Sequence, residues 1–199
     1  LRSKYERYVS MVMNGGIELG HLDFPGGTKL TCIDYNKFKI YQLFLLWIAS
    51  VSKLRVFSAF QLNPRVEEDL RKMLISETPC KPEEYRCHMT AILGNNGKPI
   101  RSLILPPSLL EDNGLVCARF LISGLLWTFI ISEPPQDFID ENCFLTLDGT
   151  LTVYYVHPKD IPFIQGTLAS IIMKKLNIDR DTVPTLKRFL EYDLWEKID

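Results

Sequence analysis

Three histidines and five cysteines are the residues of this chain that could do chemistry near neutral pH, so their spacing is weighed first. In "GHLD", His21 and Asp23 have the form of a base and its orienting carboxylate, with Cys32 as the nucleophile such a pair would activate. A Gly-flanked His-x-Asp is equally the form of a turn held by its own side chains, and no spacing ties the pair to Cys32. Cys117 is the other candidate nucleophile, with His88 or His157 as its base. Cys80, Cys87 and His88 are zinc-ligand residue types. They lack the short paired spacing and the set of about four ligands that a structural site needs, and read as a strand with incidental Cys and His. His157 in "VHPKD" closes a strand as a partly exposed side chain. The turns "NGG", "PGG" and "GNNGKP" do not form the Gly-rich, Lys-Ser/Thr cradle that binds phosphate. Asp137, Asp140 and Glu141 crowd one loop, where a solvated acidic surface explains them better than an acid–base pair, and EF-hand spacing is missing. The reading is therefore of no catalytic, cofactor-binding or metal-ligating set.

Composition narrows the classes that remain. Apolar residues make up 46% of the 199 and charged residues 24%, which supports a folded core and excludes wholesale disorder. A net charge of -1 argues against direct nucleic-acid binding, which usually needs a clearly basic domain. Five scattered cysteines, with Cys32, Cys117 and Cys143 inside apolar runs, behave as small hydrophobes and point to a reducing compartment. The location expected is intracellular, in the cytoplasm or at the inner face of a membrane. The chain opens at Leu1 without a charged-then-apolar leader and reads as trimmed.

The elements follow from periodicity. "YQLFLLWIASVSKLRVFSAF", residues 41–60, is the most apolar stretch, but Lys53 and Arg55 would each cost about 2.5–3.5 kcal/mol inside a bilayer. From Asn36 the apolar positions Phe38, Tyr41, Leu45, Ile48 and Val51 recur at helical spacing. Phe44, Leu46 and Trp47 widen that stripe, which predicts a core helix buried on most sides and followed by a strand in "KLRVFSAF". It is not expected to span. "YERYVSMVM" and "TKLTCID" read as strands. "NPRVEEDLRKMLI" reads as a helix capped by Asn63 with Pro64 in its first turn. "GNNGK" and Asp148-Gly149 each mark a hairpin, and Gly124 makes "LVCARFLISGLLWTFIIS" either two strands or one bulged strand. Asp160 and Asp181 or Thr182 cap two C-terminal helices.

The fold class expected is α+β: an antiparallel sheet built from hairpins, packed against one long apolar helix, with two C-terminal helices. The loop at 132–142 divides a main domain, 1–133, from an appended hairpin and two-helix subdomain, 134–199, packed as one unit with it.

Apolar side chains on loops are the remaining feature. Phe138 and Ile139 in "EPPQDFI" and Ile161 and Phe163 in "HPKDIPF" are either contact sites or hydrophobic staples. Basic residues fall in small groups, among them Lys53 with Arg55, Lys174 with Lys175 and Lys187 with Arg188, any of which could face anionic lipid. "GGTKLTCIDYNKFKIYQLFLLWI", a strand, a turn and an apolar helix, resembles the lead-in to the globular domain of rhabdovirus-type matrix proteins. "YRCHMTAIL…GLVCARFLISGLLWTFIISE" is similar to that family's paired strands. The resemblance is one of pattern over about residues 25–133, does not reach the C-terminal helices, and finds no "PPxY" in this chain. It implies a non-enzymatic protein that binds membrane, nucleocapsid and itself. Two functions are thus expected to compete. One is a self-associating assembly protein that contacts protein partners or an anionic membrane surface; the other is a small cytosolic enzyme with a cysteine nucleophile.

Overall fold

Among the described residues, seven strands form one sheet in the order β1-β2-β7-β3-β6-β5-β4, with three helices on one of its faces. The strands are β1 (Gly20–Phe24), β2 (Gly27–Thr31), β3 (Cys87–Ile92), β4 (Leu105–Asp112), β5 (Leu115–Ile122), β6 (Leu125–Ile130) and β7 (Leu151–Val156). The helices are α1 (Arg2–Asn14), α2 (Tyr35–Val51) and α3 (Pro64–Ser76). These elements come from a computed structural model, which describes residues 2–112, 114–132 and 141–161.

The chain is α+β, but the antiparallel hairpin sheet is corrected to a mixed one. β7 enters between β2 and β3 and runs parallel to β3, with Met89 opposite Val153 and Ile92 opposite Val156. The Asp148-Gly149 turn forms, closed by the Gly149 amide on the Thr146 carbonyl, yet the residues before it make no strand. β7 therefore leaves its expected partner and takes the gap between two distant strands. Gly149 is held there at φ 77°, where a Cβ would lie 2.1 Å from the Ile33 carbonyl oxygen. The described part of 134–199 thus contributes a strand to the middle of the sheet; the C-terminal helices lie outside the described residues.

Nor does one long apolar helix back the sheet. Helices of 13, 17 and 13 residues share that layer, with α1 and α3 packed on α2. α2 buries Phe38, Leu43, Leu46 and Ala49 together with the polar Lys39 and Gln42. The stripe facing the core is therefore turned away from the expected Leu45, Ile48 and Val51. Leu45 and Trp47 reach the core edge half-buried, and Ile48 is 38% exposed. No helix among the described residues is long and apolar enough to cross a membrane.

Two further segments differ from their expected structure. "YERYVSMVM" is helical because Tyr5, Val9 and Val12 recur at i, i+4 and i+7, and all three are buried on one side. "KLRVFSAF" forms a 3-10 turn at Arg55–Phe57. The Asn63 cap and Pro64 start α3 as expected, the Asn63 side chain accepting the Arg65 amide at 2.9 Å. Gly124 divides β5 from β6, so that stretch takes its two-strand form. Ser123 and Gly124 both have positive φ, the backbone of a two-residue turn between twisted strands.

The main core lies between α2 and the sheet. Phe38 stacks on Trp127 with centroids 6.2 Å apart, Tyr41 meets the same indole edge-on, and Phe60, Phe120 and Phe129 follow in edge contacts. On the opposite face, Ile92, Leu103, Leu105, Leu121 and Leu126 form one smaller cluster; Cys117, Ile130 and Phe144 form another.

Candidate interaction surface

The sequence's nucleophile and base candidates come to lie in separate places. His21 and Asp23 are on β1, two residues apart and so on one face of an exposed edge strand, not in a turn. Cys32 is exposed just past β2, in the left-handed region at φ 67°. Cys117 is buried in β5, and burial pushes its thiol up, away from the thiolate a nucleophile needs. His88 sits in a cross-strand row on the sheet's second face, which the ladder registers compose from Lys29, Thr152, His88, Thr128, Arg119 and Ser108. Its ring stacks on Tyr154 at 5.3 Å, and burial holds its pKa below the usual histidine value. His157 caps a 3-10 turn at Pro158–Asp160 and bonds Asn95 at 2.9 Å.

Cys80 and Cys87 lie near Lys39, and the grouping is structural. The Lys39 ammonium donates to the carbonyls of Glu84 (2.7 Å) and Tyr85 (2.9 Å) and so ties down the loop before β3. The Cys80 thiol points at the same Glu84 carbonyl at 3.5 Å. Burial pushes both thiols up despite the neighbouring ammonium. Among the described residues no group of three or more His, Cys, Asp or Glu could hold a metal ion.

Of the interaction candidates, Ile161 is half-buried beside the Ile92–Leu121 cluster. Phe138, Ile139, Phe163, Lys174, Lys175, Lys187 and Arg188 lie outside the described residues. Exposed apolar side chains lie elsewhere among the described residues, on β1, on β4 and, as a group, on α2. Phe44, Trp47, Ile48 and Val51 follow one another there at helical spacing, with Ile48 and Val51 each 38% exposed. The turn after α2 carries Leu54, 62% exposed, between the exposed cations Lys53 and Arg55.

The turn is held in that posture. The Leu54 amide donates to Ser52 Oγ, the Leu54 carbonyl accepts from Phe57, and the Arg55 carbonyl accepts both the amide and the hydroxyl of Ser58. Ser50 anchors its far side by accepting the Leu62 amide and bonding Glu67. Other basic groups are already engaged: Lys37 with Asp34, Lys4 with Glu77, Lys39 with the two carbonyls. Lys53 and Arg55 form no salt bridge among the described residues.

Sequence reading marked Lys53 with Arg55 but missed the exposed Ile48, Val51 and Leu54 beside them, because α2 is apolar nearly all round, which looks like full burial. The available signal was "KLR", an apolar residue between two cations at the end of an apolar run. Compared with known proteins, the chain matches no family model, no curated protein and no solved structure.

Proposed function

We propose that the protein is a non-enzymatic, matrix-like assembly protein that attaches to an anionic membrane surface through the end of α2 and the turn after it. One observation carries the reading: Leu54 is 62% exposed on a hydrogen-bonded turn between the exposed Lys53 and Arg55, three residues past Val51, the last residue of α2. An apolar tip enters the headgroup boundary while flanking cations stay with the phosphates. Each such cation is worth about 1 kcal/mol near a charged leaflet. The pattern-level likeness to matrix proteins supports the same reading. The cysteine-enzyme alternative is weakened at Cys117, whose burial disfavours the thiolate.

Flotation with vesicles of phosphatidylcholine, with and without phosphatidylserine, tests it. The protein is expected to float with the anionic vesicles, to be released by salt, and to lose binding in K53E/R55E and in Leu54→Ser. Equal binding to neutral and anionic vesicles, or none to either, overturns the proposal. A concentration-dependent oligomer abolished by Leu54→Ser, without flotation, would assign the surface to self-association instead.

A further inference from the structure

β1 and β4 are the two edges of the sheet, and they are built differently. β4 carries Pro106 and Pro107, which have no amide to offer, and its register shifts between Leu105 and Ser108. Both features blunt an edge against further pairing. β1 has neither: Gly20–Phe24 pairs with β2 in one unbroken register, and every residue of it is exposed. The ladders fix which backbone groups β1 turns outward. Gly26 accepts the Tyr155 amide at 2.7 Å, so Thr28 and Leu30 bond towards β7, and Gly27, Lys29 and Thr31 bond towards β1. Their partners there are Phe24, Leu22 and Gly20. His21 and Asp23 therefore point their amides and carbonyls away from the sheet, where no described residue bonds them.

The side chains of this edge fall into two sets. Leu22, 67% exposed, shares a face with Gly20 and Phe24, and His21 shares the other with Asp23. A second copy of β1 laid antiparallel on the edge must bond through the same two residues, which leaves three registers. His21 opposite His21 sets like groups together. Asp23 opposite Asp23 does the same, and brings Pro25, which has no amide, against His21. His21 opposite Asp23 sets imidazole against carboxylate in both pairs. That register also places Leu22 against Leu22 on the two-fold axis, and Phe24 against Gly20, the one residue of β1 without a side chain.

We propose that β1 is a self-pairing edge: two copies of this chain join β1 to β1, antiparallel about a two-fold axis at Leu22, with His21 of each copy against Asp23 of the other. Main-chain hydrogen bonds supply the attraction, as wherever a strand is added to a sheet edge. The two His–Asp pairs and the Leu22 contact fix the register and make the interface self-complementary. The "GHLD" stretch, which meets no nucleophile within the chain, thereby finds its acid–base complement in a second copy. The inference goes beyond membrane attachment and rests on a different surface, the β1 edge and not the turn at Leu54.

Sedimentation equilibrium of the full chain tests it, and a dimer is expected. His21→Asp sets carboxylate against carboxylate in both pairs and should weaken the dimer by about tenfold, as should Asp23→Lys, which sets lysine against histidine. H21D/D23K restores opposite charges and should recover the dimer, a rescue that a merely structural role for either residue does not give. Leu22→Cys in a Cys32→Ser chain should cross-link to its own copy on mild oxidation. Directly opposed residues of a non-bonded pair lie about 4.5 Å apart at Cα, within disulfide reach. Ile75→Cys in the same chain, exposed on α3, should stay unlinked. Leu54→Ser and K53E/R55E should leave the dimer as it is, which separates it from the membrane turn. A chain that is monomeric at every concentration, a dimer that His21→Asp leaves intact or Leu54→Ser abolishes, or a Leu22→Cys chain that does not cross-link overturns the proposal.

Discussion

The two sides of α2 are alike in hydropathy and unlike in what opposes them. Phe38, Leu43 and Leu46 meet Trp127, Met89 and the rest of the sheet, and are fully buried. Phe44, Trp47, Ile48 and Val51 are nearly as apolar, yet they line a cleft or meet solvent. Apolar character alone does not say which side of a helix is core. The partner surface does, and that surface comes from strands far away in sequence.

The largest test of this difference is a pair of truncations. Phe38→Ala should destabilise by about 3–5 kcal/mol, because it empties a fully buried site stacked on Trp127. Trp47→Ala removes a larger ring but should cost only about 1–2 kcal/mol, since the half-buried indole loses less contact. Chemical denaturation of both variants measures it. Equal losses would mean that the outer face is as tightly covered as the inner one.

Next in size is a comparison of two lysines. Lys39→Met should cost about 1–3 kcal/mol, because the carbonyls of Glu84 and Tyr85 would lose their buried donor. Lys53→Met, at an exposed end of the outer stripe, should change stability by no more than about 0.5 kcal/mol. Thermal melts of the two variants side by side test whether charge, like apolarity, is structural on one side and available on the other.

A subtler effect belongs to Tyr5, which lines the cleft between α1, α2 and α3. The hydrogen bond to Glu77 and burial raise its phenol from 10.0 to about 12. The folded-state pKa lies above the unfolded one, so this contribution to stability is present below pH 10.0 and is lost as pH rises towards 12. The same bond, helped by Lys4, lowers the Glu77 carboxyl below its ordinary 4.5, so that contribution fades as acid protonates it. Tyr35 and Tyr85 are raised too, by burial, so ultraviolet titration should show several late phenols, and Glu77→Gln should bring one of them back to lower pH. An unchanged titration in Glu77→Gln would mean that the α1–α3 wall of the cleft is looser than the hydrogen bond implies.

Local signals were legible in the sequence and long-range ones were not. The Asn63 cap, Pro64 and the turn at Gly124 depend on neighbours in the chain, and each forms as read. β7 depends on a gap between β2 and β3, which no local pattern records, so its hairpin reading failed. α1 was misread because Tyr and Val favour strands, while the i, i+4, i+7 spacing of Tyr5, Val9 and Val12 was the stronger fact. The stripe on α2 was legible as apolar, but its split into a packed and an open side was not.

The smallest expected effect lies beside the open side of α2, in the turn that follows it and on α3. Leu54→Ser and Ile75→Ser alter side chains that are 62% and 64% exposed, so little packing is lost. Their combined change in stability should stay within about 0.5 kcal/mol. A serine at a buried position such as Leu46 would instead leave a cavity and an unpaired hydroxyl, at several times that cost. The double variant should therefore melt like the wild type while its flotation with anionic vesicles falls. A melting temperature lowered by many degrees would show that Leu54 and Ile75 support the fold and are not free for contact.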